Sequence, residues 1–167
     1  MTIEEAQIDK ELIPILEKVS DPEIPVLTVL DLGVVRFAKI TKPNFVEVKI
    51  TPTYSGCPAM DVIGDDITSA LSENGYETKV DLVLAPAWTT DMITESGRKT
   101  LEEYGIAPPM DAVSDKKALL GEEQVVKCPQ CHSTNTKMVS QFGSTACKAL
   151  FKCHDCQEPF DYFKCLI

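Results

Sequence analysis

The chain has 167 residues, 44% of them hydrophobic and 7% aromatic, with a formal net charge of −10. That length suits one medium domain and one small one. Residues 1–121 hold 11 Lys+Arg against 21 Asp+Glu and residues 122–167 hold 5 against 5, so neither part offers the basic surface a phosphate backbone requires, which argues against nucleic acid as a partner.

In chain order, Ile8, Leu12, Ile15, Leu16 and Val19 recur at helical spacing, with Pro14 predicting a kink or a helix start beside it. Asp21-Pro22-Glu23-Ile24-Pro25 ends that helix in a stiff, extended loop. Val34 to Ile40 reads as a strand, and Thr41-Lys42-Pro43-Asn44 turns it into a second strand, Phe45 to Thr51, whose Val46, Val48 and Ile50 face one way. Ile63, Ile67, Ala70 and Leu71 predict a helix stopped by Asn74-Gly75. Thr78 to Leu84 is a third strand, and the strand–helix–strand succession predicts a parallel crossover. A helix follows near Asp91–Tyr104, stopped by Gly105.

The predicted fold class is therefore α+β: a small mixed three-stranded sheet packed with helices in the order α-β-β-α-β-α over residues 1–108, a linker at 109–122, and a small all-β domain at 123–167. No apolar run approaches a membrane span, and the acidic N-terminus is unlike a signal peptide. A cytoplasmic protein with no membrane partner is expected.

Seven cysteines fall as one in the first 127 residues and six in the last 40. Without an export signal, such clustering favours metal over disulfides. Cys128-Pro129-Gln130-Cys131 and Cys153-His154-Asp155-Cys156 are two Cys-x-x-Cys knuckles with 21 residues between them. Four thiolates converging on one tetrahedral ion select zinc or iron, and the absence of an open position predicts a structural site. Cys147 and Cys165 are left over. If Lys152 lay opposite Phe160 in a hairpin, Cys147 would face Cys165, as a redox pair, a second soft-metal site or two small buried residues, burial being the plainest reading.

Cys57 lies between a strand and a helix, with Pro58 fitting the first helical position. A thiol beside free helix amides is expected to have a lowered pKa, in place of the plain reading of a buried cysteine. A nucleophilic enzyme would pair it with a histidine, yet residues 1–131 contain none, so only His132 or His154 could serve from the tail.

Asp21-Pro22-Glu23-Ile24-Pro25 with Asp31-Leu32-Gly33, the Thr51…Gly56-Cys57-Pro58 loop and Pro86-Ala87-Trp88 together resemble the small cytosolic iron–sulfur assembly domain over roughly residues 5–105. With Tyr104-Gly105-Ile106-Ala107-Pro108-Pro109 and Phe142 to Leu150 in the zinc-ribbon-like tail, the chain resembles one branch of that family, the D proteins of phenylacetate degradation. It departs from the branch at Pro14 and at Met92, where tryptophan is frequent. The resemblance implies a non-catalytic helper of the phenylacetyl-CoA epoxidase, whose di-iron oxygenase or [2Fe–2S] flavin reductase it would mature or repair. It implies that Cys57 handles iron or a cluster transiently, with Asp31 and Thr51 in support. The alternative is an adaptor subunit docking through the ribbon. A cluster wants four ligands, so one thiol needs help from a homodimer, the tail cysteines or the client.

Overall fold

The computed structural model describes residues 7–54, 56–109 and 125–163. The chain forms two compact units, the first comprising residues up to Trp88 with Met92–Thr94, the second Thr89–Asp91 with everything from Glu95.

The first unit holds β1 (Gln7–Ile8), α1 (Ile13–Leu16), β2 (Val35–Lys42), β3 (Phe45–Ile50), α2 (Ala59–Glu73) and β4 (Glu77–Leu82). Its sheet runs β1-β2-β3-β4, with β2 and β3 antiparallel and both β1 on β2 and β4 on β3 parallel. The α+β class holds, but the sheet has four strands where three were expected. Ile8 belongs to the extra strand and not to the first helix: Asp9 Oδ2 accepts from the Ile40 amide at 2.9 Å and the Asp9 amide donates to Ala38 O at 2.9 Å, fastening this segment to β2. Pro14 leaves a helix of only four residues, starting beside it.

Alternation in β3 buries Val46, Val48 and Ile50 on one face, and helical spacing buries Ala59, Met60, Ile63, Ile67 and Leu71 of α2. Each such large aliphatic side chain contributes about 1.5–3 kcal/mol by leaving water. Asn74 caps α2 through Nδ2 on Ala70 O at 2.8 Å, and Gly75 takes the left-handed conformation, φ +86°, that ends it. The strand–helix–strand crossover is present, as its spacing predicted.

The second unit holds α3 (Glu95–Tyr104), β5 (Ile106–Ala107), β6 (Thr136–Ser140), β7 (Lys148–Cys153) and β8 (Pro159–Phe163), in a sheet ordered β5-β8-β7-β6. The helix expected near Asp91–Tyr104 is broken into a 3-10 turn at Thr90–Met92 and α3. Ile106 pairs with Asp161 and Ala107 with Tyr162, so the segment expected to close the first domain supplies an edge strand to the ribbon sheet. All but Pro109 of the expected linker lies outside the described residues. The ribbon core is Ala107, Val126, Ala149, Phe151, Phe160 and Tyr162, closed by Cys128 and Cys153. Phe151 stacks on Phe160 and meets Tyr162 edge-on, at centroid distances of 5.9 and 5.6 Å.

Candidate metal centre and the Cys57 loop

The two knuckles bring four sulfurs together. The Sγ atoms of Cys128, Cys131, Cys153 and Cys156 all lie within 4.8 Å of one another, with Cys128–Cys156 at 3.8 Å and Cys131–Cys153 at 3.6 Å. A tetrahedron with metal–sulfur bonds of about 2.3 Å has edges of about 3.8 Å, so this donor set fits a tetrahedral soft-metal ion. Cys128 and Cys153 are fully buried, Cys156 is half-buried and Cys131 exposed. The residue after each knuckle, His132 and Gln157, takes a left-handed conformation with φ of +63° and +65°, which folds the chain back towards its own sulfurs.

Asp155 clamps the knuckles together. It accepts from Ser133 Oγ and from Asn135 Nδ2 at 2.9 Å, while the His154 amide donates to Asn135 O at 2.8 Å. The Ser133 and Asn135 donors hold its carboxyl below the usual range. Glu102 of α3 meets His132 Nδ1 at 3.4 Å, tying that helix to the first knuckle. Only the position of Asp155 inside the second knuckle hinted at this clamp in the sequence.

The thiols do not share charge evenly. The Cys156 amide, ahead of that of Asp155, favours the Cys153 thiolate and draws it down to about 7. The Glu158 amide favours the Cys156 thiolate, but burial and the Cys131, Cys153 and Cys128 thiols outweigh it and push Cys156 up to about 12. Cys131 is likewise raised, burial and Cys153 outweighing the Ser133 amide. Four adjacent anions need a cation, and metal binding therefore displaces protons.

Cys147 is buried, with its sulfur 3.1 Å from Thr145 Oγ1. The register is Lys152 opposite Pro159 and Lys148 opposite Phe163, one residue away from the assumed alignment. This removes the geometric ground for facing Cys147 with Cys165, which lies outside the described residues.

Cys57 stands in the first unit, half-buried, immediately before Pro58, which is the N-cap of α2 and not its first helical residue. The thiol is raised, not lowered. Burial is the largest cause; the Ala59 amide at the helix start and Tyr54 favour the thiolate, as helix position predicts, while the carboxylates of Glu23 and then Asp21 oppose it. Asp21 is itself buried, its Oδ1 accepting from the Glu23 and Ile24 amides at 2.8 Å each. Its loop is closed by a Ser20–Thr28 bridge instead of running extended. Iodoacetamide should therefore modify Cys57 more slowly at pH 7 than free cysteine, with a rate still climbing above pH 9. A rate that levels off below pH 8 would contradict the raised thiol.

Asp31 is built into its own loop: it accepts from Thr28 Oγ1 at 3.1 Å and Thr94 Oγ1 at 2.8 Å, and its amide donates to Thr28 Oγ1 at 3.0 Å. Thr51 is 1% exposed, its amide on Val34 O at 2.8 Å, and its hydroxyl has no partner among the described residues. The residues that act on Cys57 and were not singled out as a site are Tyr54, Glu23 and Asp21; the signal for the last two was the acidic loop preceding β2, and Tyr54 stands in the Cys57 loop itself.

Residues 112–164 match the model of the PaaD zinc beta ribbon domain, and residues 10–84 match that of the iron-sulfur cluster assembly protein. Over 157 residues the chain is 49% identical to the Escherichia coli (strain K12) protein named as the D component of a "Putative 1,2-phenylacetyl-CoA epoxidase", covering 93% of this chain and 92% of that one. The chain belongs to the PaaD family. This PaaD-family chain is also 37% identical over 97 residues to a "Fe-S protein maturation auxiliary factor" of Porphyromonas gingivalis (strain ATCC BAA-308 / W83), covering 57% of this chain and 91% of the relative. A solved domain of unknown function (DUF59) from Bacillus anthracis superposes with a TM-score of 0.51 at 29% identity, over 55% of this chain and 88% of that one. Among the described residues, no helix is long and apolar enough to cross a membrane.

Proposed function

We infer that the chain is a non-catalytic maturation factor for metal centres of the phenylacetyl-CoA epoxidase, acting in the cytoplasm on its di-iron oxygenase or its [2Fe–2S] flavin reductase. The observation that carries this reading is the pairing, in one chain, of a maturation-factor-like unit with a ribbon of the PaaD type, in a sequence close to a relative named for the epoxidase. In the ribbon, Cys128, Cys131, Cys153 and Cys156 would hold a structural zinc ion, which supplies a fold and no chemistry.

Cys57 is the cargo thiol, and its surroundings support that role over nucleophilic attack. Partial burial, and after it the carboxylates of Glu23 and Asp21, raise the thiol and disfavour the attacking thiolate at neutral pH. The same carboxylates attract an iron cation, whose arrival replaces the thiol proton and is helped by the Ala59 amide. No histidine in residues 1–131 is present to act as base. The remaining ligands of an iron or cluster cargo come from the client, which keeps binding transient.

The test is complementation. In cells lacking the native copy, the Cys57→Ser chain is expected to leave the oxygenase expressed at a normal level but iron-poor and inactive. Full restoration of activity by Cys57→Ser would sink the cargo role and leave the adaptor reading.

A further inference from the structure

The open edge of the first sheet is β4, which among the described residues pairs only with β3. The amides of Glu77 and Val83 donate towards the β3 side, to Asn44 O at 2.7 Å and Ile50 O at 2.8 Å. By strand alternation, Thr78, Val80 and Leu82 turn their amides and carbonyls to the open edge. Edge strands of this kind are templates for further pairing. Two leucines here, Leu82 and Leu84, are 55% and 64% exposed. Beside the edge runs a groove of about 320 Å³ between α2 and β4, lined by Asp61, Gly64 and Thr68 on the helix and by Val80 and Leu82 on the strand.

The edge is complementary to itself. Laid antiparallel on a copy about Val80, it pairs Thr78 with the partner's Leu82 and Lys79 with the partner's Asp81. Val80 and Thr78–Leu82 then fall at hydrogen-bonded positions, as their outward amides require. Lys79–Asp81 falls at the close, non-hydrogen-bonded positions, where opposite charges stabilise most. Leu84 comes opposite the partner's Tyr76. A two-fold axis perpendicular to the sheet leaves both α2 helices on the same face, about 10 Å apart by strand spacing, which is helix-packing distance. Gly64 is the helix residue over Val80, its would-be Cβ lying 3.8 Å from Val80 Cγ1 of the same chain, so α2 sits directly above the centre of the proposed pairing.

We propose that β4 is the interface of a two-fold dimer, pairing antiparallel with its copy about Val80 so that Lys79 of each chain faces Asp81 of the other. The dimer does not unite the cargo thiols. Cys57 precedes Gly64 by seven residues and the helices run antiparallel, so the two thiols lie roughly 20 Å apart along the helix direction. A cluster shared between two Cys57 side chains does not form across this interface.

Sedimentation equilibrium of the full, metal-loaded chain tests it. The wild type is expected at twice the chain mass. Within one chain Lys79 Nζ lies 3.2 Å from Asp81 Oδ2, at side chains 62% and 45% exposed, so both charges stay open to a copy. Lys79→Asp and Asp81→Lys each place like charges opposite one another across the interface and should weaken association about tenfold or more. Mixed together, the two single variants restore opposite charges at both positions and should form a heterodimer, and the double swap should be dimeric alone. A wild type of one chain mass at every concentration, single variants that dimerise as the wild type does, or a mixture that stays monomeric overturns the proposal.

Discussion

Removing the metal from the full chain is expected to melt α3 and β5 together with the ribbon while the first sheet stays folded. The reason lies in how the second unit is held. Its core cluster has eight buried residues, and two of them, Cys128 and Cys153, belong to the four-thiol candidate metal centre. Without the ion, adjacent thiols that resist ionising together remain in an apolar core, and the aromatic group of Phe151, Phe160 and Tyr162 is too small to stabilise the unit alone. Structural zinc supplies about 10–16 kcal/mol in finger peptides at pH 7, more than a ribbon of this size has in reserve. Helix α3 follows because it is fastened by Glu102 on His132 and continues into β5 on β8. Amide NMR during chelator titration would read this directly: Leu101, Ile106 and Tyr162 should lose their folded signals in step, while Val46 and Ile67 keep theirs. Signals of Leu101 and Ile106 that survive metal loss would refute the shared fate. Cys153→Ser should reproduce the chelated state. Acid acts in the same direction. The raised Cys131 and Cys156 thiols hold their protons more tightly than an ordinary thiol, protons compete with the metal, and retention weakens as pH falls.

Gly33→Ala is expected to be the most damaging single-atom change in the first unit. Gly33 has φ of +74°, and a Cβ there would sit 2.4 Å from Met92 O and 2.9 Å from Met92 C and Cβ. The left-handed conformation costs an L-residue about 1–2 kcal/mol, and a clash with backbone cannot be relieved by rotating a side chain; together the loss should be about 3–5 kcal/mol. That is a large share of the roughly 5–15 kcal/mol typical of a domain. Gly75→Ala is the control, because Gly75 has φ of +86° and nothing within 4 Å of its would-be Cβ. Urea unfolding of both variants should show a far larger loss at Gly33. Equal losses would mean that the Met92 carbonyl moves aside, and the segment anchored by Thr94 on Asp31 and by Arg36 on the Met92 sulfur would then be softer than it looks.

What was legible in the sequence was short in range. Alternation in Phe45–Ile50 and the spacing of Ile63, Ile67 and Leu71 each report one element's own exposure, so β3 and α2 could be read directly. The knuckles carry their geometry in two intervening residues. The misses share a different cause. β1 is two residues long, too short to display a period, and Ile8 fell by chance on a helical face. Attachment of β5 to β8 links Ile106 with Asp161, and no local pattern encodes a pairing so distant. The β7–β8 register was wrong by one residue, enough to change every facing pair. At Cys57 the helix-terminus effect exists, but its sign was overruled by burial and by Glu23 and Asp21, which become neighbours only in the fold.

The division of the chain also bears on what may be trimmed from it. Pro109 belongs to the second unit, and its carbonyl accepts from Arg98 Nη1 at 2.6 Å. A cut that removed Pro109 would take away the carbonyl that Arg98 grips and loosen α3, so any shortening of the chain here has to leave that residue in place.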